Sequence, residues 1–501
     1  MKKTLIPLFV FFGIFHCLQA GEAASASGGV GDRPNVIFIL TDDQGYGDTS
    51  GNGHPLLKTP NFDRLRNEGV RFENFYVSPS CSPTRAALLT GMHEFRNGVT
   101  HTRHPREQLY NQAVTLPRIL KDSGYRTGLI GKWHLGEEYK PSDAGFDTYS
   151  LNQGDGILVR NGKRVSQTPG RFREDLYFDE AIHFIESSPS EPFFLEVATI
   201  SPHAPLGAPE EFIAPFRGKV TDEEATYLGM VMNLDYNIGR LLDLLDQKKL
   251  NEKTIVVLMN DNGATYGLDV YNAGMRGCKT MPWQGGSRAF SFWRWTGHWM
   301  PHTVDDLTAH LDFLPTICQL TSSPIPEALK KELEGYSLVP LLDAKSPVVW
   351  GHGDRMLFIH AGRWPSGMAA QHKYYKAAVL QNHMILVRSD PCDNEACKAD
   401  PKNECVNLRH VRNGSKSAIY TKENAQFHWG VTPPGRWALF DLQSDPACSN
   451  DLSEKQPELT ARLAAAYDQW WDGVYPVMIE RGGDAPLAQR NPPPKKTAPN
   501  E

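Results

Sequence analysis

Short apolar segments alternate with helix-forming segments through residues 36–263 of this 501-residue chain. Residues 36–40 are branched or aromatic, as is typical of a buried strand, and a helix is predicted over residues 59–68, where Gly69 ends it. A long amphipathic helix is predicted over residues 222–247. This alternation predicts an α/β fold, a large and mostly parallel sheet sandwiched by helices.

Four of the predicted strands lead into side chains that can bind ions. Asp, Asn and Gly are common turn formers, so one such strand end would carry no information, whereas four favour a functional site. Ligands of such sheets bind in the crevice at the carboxyl ends of the strands, where all four groups would meet. The groups are Asp42 and Asp43 after residues 36–40, Lys132 and His134 after 127–130, His203 after 193–199, and Asp261 and Asn262 after 254–259.

These side chains divide into two chemical sets. Asp42, Asp43, Asp261 and Asn262 offer only oxygen ligands. Oxygen-only sites suit Ca²⁺ or Mg²⁺ and do not suit zinc or copper. The first set therefore predicts a site for a hard divalent cation.

The second set is cationic. Charge-assisted hydrogen bonds from such a set would hold a tetrahedral oxyanion. A metal ion together with several cations stabilises the charge that develops in sulfuryl or phosphoryl transfer. The set comprises Arg85, Lys132, His134, His203 and Lys279.

Cys81 begins the string Cys81-Ser82-Pro83-Thr84-Arg85. This string resembles the C-x-P-x-R sequence at which sulfatases convert cysteine to formylglycine (3-oxoalanine). Four longer blocks resemble the type I, formylglycine-dependent sulfatases of the alkaline phosphatase superfamily, and the resemblance extends over nearly the whole chain. The blocks are residues 35–47 (NVIFILTDDQGYG), 81–91 (CSPTRAALLTG), 124–136 (GYRTGLIGKWHLG) and 437–452 (WALFDLQSDPACSNDL).

The resemblance implies a role for each site residue. Asp42, Asp43, Asp261, Asn262 and the modified Cys81 would bind the metal ion. Arg85 would hold the hydrated aldehyde, and Lys132, His134, His203 and Lys279 would contact the sulfate group. One departure from the family pattern is Gln284-Gly285-Gly286, where Glu-Gly-Gly is usual; it is expected to alter the hydrogen bonds around the site without removing a metal ligand.

The implied reaction is the hydrolysis of sulfate esters. One hydroxyl of the hydrated aldehyde at position 81 would lose its proton beside the metal ion and attack sulfur, and His203 would protonate the leaving alcohol as its bond to sulfur breaks. Deprotonation of the second hydroxyl, for which His134 is the candidate base, expels sulfate and restores the aldehyde; the roles of the two histidines could be exchanged. A formylglycine-generating enzyme would be a partner during maturation.

Lys2 and Lys3, an apolar run at 5–15 and small residues at 20–26 predict a signal peptide over residues 1–24. The protein is therefore expected to be secreted or periplasmic. No later segment is apolar enough to predict a membrane span, and a net charge of −6 gives no indication of nucleic-acid binding.

Further along the chain, residues 25–343 are predicted to form the catalytic α/β domain. Residues 344–488 are predicted to form a smaller C-terminal antiparallel sheet with one helix at 459–471, and the Pro- and Lys-rich residues 489–501 a disordered tail. Three nearby cysteines, together with Cys448, could form one or two disulfides; they are Cys392, Cys397 and Cys405.

The substrate is expected to be a sulfated carbohydrate, with aryl sulfates as test substrates. Six residues are candidates for sugar contacts, with a role as ordinary loop residues as the alternative: His101, Arg103, His104, His360, Arg363 and Trp364. Two alternatives remain open, a phosphonate or phosphodiester hydrolase and a non-catalytic protein that binds sulfated glycans. The second is disfavoured because binding alone would not need a modifiable cysteine.

Overall fold

Two sheets and the helices that cover them make up the described parts of the chain. The computed structural model describes residues 33–152, 157–166, 171–187, 190–343, 350–388 and 435–486. From Arg33 onwards the chain forms one compact unit, so the predicted boundary at residue 343 stays a prediction. The predicted signal peptide, the tail at 489–501 and the group of Cys392, Cys397 and Cys405 lie outside the described residues.

The large sheet confirms the predicted α/β fold. Its strands run in the order β10-β2-β9-β8-β1-β7-β3-β4-β5-β6, and β11 also pairs with β2. The strands are β1 (Asn35–Asp42), β2 (Val70–Tyr76), β3 (Arg126–Gly131), β4 (Thr148–Asn152), β5 (Leu158–Arg160), β6 (Lys163–Ser166), β7 (Phe193–Pro202), β8 (Thr254–Asn260), β9 (Arg288–Arg294), β10 (His302–Val304) and β11 (Thr308–Ala309).

The centre of this sheet is parallel and its flanks are mixed. Strands β8, β1, β7, β3 and β4 are consecutive parallel neighbours. Antiparallel pairing appears where β9 joins β8 and β2, and where β4, β5 and β6 form a meander. The parallel centre is the part that brings the predicted site together.

Helices cover both faces of the large sheet, and the last helix of the described residues packs on the smaller sheet. They are α1 (Pro60–Glu68), α2 (Cys81–Thr90), α3 (Glu94–Asn97), α4 (Leu116–Asp122), α5 (Arg173–Ser187), α6 (Glu210–Ile213), α7 (Asp222–Gln247), α8 (Gln284–Ser287), α9 (Phe313–Leu320), α10 (Glu327–Lys330), α11 (Val339–Leu342) and α12 (Pro457–Glu480).

Strand β1 shows how the sheet is enclosed. Successive side chains of a strand point to opposite faces. Phe38 and Leu40 pack in a core shared with α2, α4 and α9, whereas Ile37 and Ile39 pack in a core shared with α1, α5 and α7. Because both faces are buried, the strand is almost entirely apolar, as is usual for a central parallel strand.

The helix predicted over residues 222–247 begins and ends at those residues. Thr221 caps it, since its hydroxyl accepts a hydrogen bond from the Glu224 amide while the Glu224 side chain accepts one from the Thr221 amide. The C-terminal helix is longer than predicted and runs to Glu480, because Val474 and Met478 continue its buried face beyond residue 471.

The smaller sheet is antiparallel, as predicted. It contains β12 (Met356–His360), β13 (Ala377–Gln381), β14 (Met384–Arg388) and β15 (Ala438–Asp441) in that order. Helix α12 packs on it through Leu463, Tyr467 and Trp471.

None of the helices in the described residues combines the length and apolarity needed to cross a bilayer.

Candidate active site

Three carboxylates meet at the carboxyl ends of two adjacent strands. Asp42 ends β1, Asp43 follows it with a φ of 60°, and Asp261 follows β8. Ligand atoms of these residues and of Cys81 all lie within 4.8 Å of one another, and all four side chains are buried. Asn262 donates a hydrogen bond from Nδ2 to Asp43 Oδ1 at 2.8 Å. The parallel register of β1 and β8 therefore assembles the predicted oxygen set.

Cys81 is the first residue of α2 and lies among these carboxylates. Its Sγ is 3.3 Å from Asp42 Oδ1 and 3.8 Å from Asp43 Oδ1. Burial, reinforced by the charge of Asp42, raises the pKa of the Cys81 thiol to about 12. Nucleophilic cysteines require a lowered pKa. With these protein neighbours the thiol is neutral and unsuited to attack.

Three cations balance the three carboxylates. Arg85, one turn after Cys81 on α2, places Nη2 2.8 Å from Asp261 Oδ2. Lys132 follows β3 and pairs with Asp42 Oδ2, and Lys279 Nζ lies 2.5 Å from Asp43 Oδ1 and 3.1 Å from Cys81 Sγ.

The cations determine which carboxylates stay ionised. Burial would raise the pKa of Asp42, but the charges of Lys132, His203 and Arg85 hold that pKa well below its usual value. Asp43 also has a lowered pKa, because Lys279 and His203 outweigh its burial. Burial, together with the charge of Asp42, raises the pKa of Asp261 to about 7.

His203 lies at the outer side of the cluster, after β7. Its Nδ1 lies 2.5 Å from the Ala204 carbonyl oxygen, so Nδ1 carries a proton and donates. Its Nε2 lies 3.7 Å from Asp43 Oδ2, and the side chain is about one-third exposed. Nε2 is therefore the atom at which a proton can be gained or lost.

His134 follows β3 and does not contact the carboxylate cluster directly. Its Nε2 lies 3.4 Å from both Glu107 Oε2 and the Thr102 carbonyl oxygen, while Nδ1 has no hydrogen-bond partner among the described residues. Burial, followed by the charge of Lys132, lowers the pKa of His134 to about 4. The neutral ring thus carries its proton on Nε2 and keeps a basic lone pair on Nδ1.

The donor set fits a hard divalent cation. Asp42, Asp43 and Asp261 supply carboxylate oxygens, and Asn262 Oδ1 is buried without a hydrogen-bond partner among the described residues. An unpartnered buried amide oxygen beside three carboxylates is a natural cation ligand. No histidine nitrogen belongs to the group found in the described residues, which disfavours zinc.

Several neighbours of the site carried no signal in the sequence. Thr265 Oγ1 donates to Asp43 Oδ2 at 2.9 Å, and Tyr227 OH donates to the Asp43 carbonyl oxygen at 3.3 Å. Glu107, the partner of His134, belongs to a loop without periodicity. Gln284, at the departure from the family pattern, accepts a hydrogen bond from Arg288 at 3.1 Å and stays outside the carboxylate cluster.

The loop of residues 99–108 forms one wall of the site and is fixed to the region after β12. Arg106 is buried and donates to the carbonyl oxygens of Gly362 at 2.6 Å and Trp364 at 2.8 Å. Arg363 Nη2 donates to Thr102 Oγ1 at 2.9 Å. The Thr102 carbonyl also faces His134. The C-terminal region therefore contacts the site indirectly, through this loop.

The structure separates the six candidate sugar contacts. His360 and Trp364 are 1% and 2% exposed and pack with Phe95 and Trp471, which disfavours a direct sugar contact by either of these two candidates. His101 is also buried. The remaining candidates, Arg103, His104 and Arg363, are partly exposed and stay candidates.

Comparisons with known proteins agree with this geometry. The family model described as Sulfatase matches residues 34–323. Arylsulfatase J of Mus musculus is 28% identical, over 92% of this chain and 79% of that protein. N-acetylgalactosamine-6-sulfatase of Homo sapiens is 30% identical, over 67% and 71%. The crystal structure of Ps i-CgsB superposes with a TM-score of 0.71 at 25% identity, over 88% of this chain and 93% of that one.

The carboxylate cluster is expected to bind one hard divalent cation per chain. Asp261→Asn should weaken binding at least about tenfold, because one of three anionic ligands is lost. Calorimetric titration of Ca²⁺ and Mg²⁺ into chelator-treated protein measures this directly. Glu107→Gln, an acid near His134 but outside the cluster, is the control and should change affinity less than about twofold. Stoichiometric zinc in the purified protein would contradict the assignment.

Proposed function

Because this chain belongs to the sulfatase family and is a sulfate ester hydrolase, we propose that it works with formylglycine derived from Cys81 and with Ca²⁺. The observation that carries this proposal is the position of Cys81 Sγ, a soft and neutral sulfur atom among hard oxygen ligands and beside Lys279. Conversion to a hydrated aldehyde would replace that sulfur with hydroxyl oxygen, which suits both the nucleophile and the cation.

The aldehyde would also provide a route for releasing sulfate from the enzyme. Its hydrate supplies one hydroxyl to attack sulfur and a second whose deprotonation restores the carbonyl and releases sulfate. A serine at this position would keep a stable sulfate ester. Arg85, one helical turn along α2 from Cys81, would hold the hydrate in place.

The divalent cation would be held by Asp42, Asp43, Asp261, Asn262 and the oxygen of residue 81, and it would neutralise negative charge at the sulfate oxygens. Five protein oxygens favour Ca²⁺, which takes six to eight oxygen ligands, over Mg²⁺, which usually keeps several waters.

Four side chains would bind the sulfate group. Lys132 and Lys279 point their ammonium groups into the cluster, and Arg85 and His203 flank it. Once the cation compensates the carboxylates, the positive charges of these side chains become available to the sulfate oxygens. They would stabilise the charge that grows on those oxygens during sulfuryl transfer.

The two histidines divide the proton transfers. His203 Nε2, held outward because Nδ1 is committed to the Ala204 carbonyl, would protonate the leaving alcohol oxygen. His134 Nδ1, basic because Nε2 faces Glu107 and Thr102, would accept the proton that must leave for sulfate to be expelled. A neutral His134 at working pH agrees with its lowered pKa.

The proposed substrate is a sulfated carbohydrate, with aryl sulfates as test substrates. One relative is named for N-acetylgalactosamine 6-sulfate. The partly exposed Arg103, His104 and Arg363 near His134 would suit an anionic sugar chain.

We also propose that the protein is exported, through the predicted signal peptide at 1–24 with its Lys2 and Lys3. Maturation would then require a formylglycine-generating enzyme in the producing cell.

Peptide mass spectrometry tests the modification. The peptide containing residue 81 should have lost the sulfur atom of cysteine and gained a carbonyl oxygen. Cys81→Ala should abolish turnover, and Cys81→Ser should accumulate a covalent sulfate ester. Cys278→Ser, at another buried cysteine, is the control and should keep activity in the folded protein. Full activity with only an unmodified thiol at Cys81 would refute the proposal.

His203→Ala should depend strongly on the leaving group. Because a sugar alkoxide leaves only when protonated, its release should slow by about 10²–10⁴-fold, whereas a nitrophenolate should leave with a much smaller loss. Steady-state kinetics on both substrates measures the difference, and Lys132→Ala should slow both alike. Equal losses for His203→Ala would make His203 a sulfate-binding residue.

The pH dependence of kcat for an aryl sulfate, whose phenolate leaves rapidly, should reflect His134, because His134 acts after the alcohol has left. Activity should fall as the pH drops through about 4, because protonation of the base removes its lone pair. Glu107 stabilises the protonated ring, so Glu107→Gln should move this acid limb to lower pH. Glu137→Gln, an exposed acid in the same region, should leave the profile unchanged. An acid limb near pH 6.5 that ignores Glu107→Gln would exclude His134 as the base.

A further inference from the structure

A buried carboxylate lies in the middle of the large sheet and has no role in the reaction as described above. Glu196 belongs to β7, between Leu195 and Val197, and is 5% exposed. Its Oε2 is buried with no hydrogen-bond partner among the described residues. An ionisable group without a partner is costly in such a position, so a compensating group is expected nearby.

The side chain of Glu196 faces helix α2. In the parallel register, Glu196 is level with Phe38 of β1 and Leu129 of β3. Both of those side chains belong to the core that contains Ala86 and Leu89 of α2. Side chains level with one another on neighbouring strands share a face. Glu196 therefore lies on the face where α2 carries Arg85.

Arg85 has unused donors. Its Nη2 pairs with Asp261, but Nε and Nη1 are buried without a hydrogen-bond partner among the described residues. A guanidinium has five N–H donors in a planar fork, in which Nε shares one edge with Nη2 and Nη1 shares the other edge with Nη2. The single pairing of Nη2 with Asp261 therefore leaves both Nε and Nη1 in need of an acceptor.

The charges of Arg85 and Glu196 act on each other. Burial raises the pKa of Glu196 to about 7, and the positive charge of Arg85 opposes that rise. Glu196 in turn adds to the raised pKa of Arg85, behind the larger contributions of Asp261, Asp42 and Cys81. No direct hydrogen bond joins the two side chains. A buried water between them is the simplest way to give both the Glu196 oxygen and the Arg85 donors a partner.

We propose that Glu196 is a positioning residue for Arg85, holding the unpartnered Nε or Nη1 donor through a buried water so that Nη2 stays directed at Asp261 and the reaction centre. This inference rests on the proposed role of Arg85 in catalysis. Glu196 is not part of the group of candidate metal ligands found in the described residues. A guanidinium held at Nη2 and also at Nε or Nη1 keeps one orientation during turnover, whereas one held only at Nη2 can rotate.

A double-mutant cycle tests the proposal on the metal-loaded, modified enzyme with nitrophenyl sulfate. Glu196→Leu should lower kcat/KM at least about tenfold, and Glu196→Gln, which keeps a hydrogen-bond acceptor, less than about threefold. In an Arg85→Lys background, Glu196→Leu should cost less than about twofold, because the residue acts through Arg85. Calorimetric binding of inorganic sulfate should show the same coupling without relying on turnover.

The control is Phe194→Leu, two residues earlier on the same face of β7. This substitution should lower the stability of the fold, and its effect on kcat/KM should be the same with Arg85 and with Arg85→Lys. Equal losses from Glu196→Leu in both backgrounds, or full activity of Glu196→Leu, would overturn the inference. If Arg85→Lys alone left kcat/KM and sulfate binding unchanged, the proposed role of Arg85 would fail instead.

A high-resolution crystal structure gives a readout that does not depend on the variants folding. It should show an ordered water within hydrogen-bond distance of both Glu196 Oε2 and Arg85 Nε or Nη1. In Glu196→Gln that water should persist, whereas in Glu196→Leu the Arg85 side chain should adopt more than one orientation. A wild-type structure with no water between the two groups would refute the proposal.

Discussion

The balance of three buried carboxylates against one buried and two partly buried cations is the interaction on which the site depends. Asp42, Asp43 and Asp261 could not be gathered within a few ångströms of one another inside a protein without compensation, because removing a charge from water costs several kcal/mol. Arg85, Lys132 and Lys279 provide that compensation from three separate parts of the chain. With a cation bound by the carboxylates, as proposed, the same arrangement would present an anion-binding surface.

This balance is possible because the sheet is parallel at its centre. Strands β8, β1, β7 and β3 are neighbours and end at the same edge, so a short polar segment after each one reaches the same small volume. The C-terminal region closes the site from outside. Arg106 joins the wall loop to the segment after β12, and Thr100 Oγ1 donates to the Gly483 carbonyl oxygen just beyond α12. Contacts between residues almost 400 positions apart in the sequence thus hold the loop of residues 99–108 in place.

The sequence was sufficient where local pattern and strand order decide the structure. The bounds of α7 follow from its capping residues and apolar period, and the grouping of Asp42, Asp261, Lys132 and His203 follows from parallel strands. It was insufficient where packing between distant segments decides. His360 and Trp364 were candidates for sugar contacts, but both lie in an aromatic core. Glu107 and Thr265 gain their roles only from loop geometry, and Glu196 shows no pattern that would distinguish it from an outward-facing strand residue.

The burial of α2 has a consequence for the order of events in biosynthesis. All ten residues of this helix are buried, and Cys81 is 1% exposed beneath the carboxylates and Lys279. A modifying enzyme has to place the thiol in its own active site, together with several residues on either side. The folded protein cannot offer that segment without opening its central core. If Cys81 is modified as proposed, the conversion would therefore precede folding of this helix, and folding would then enclose the product.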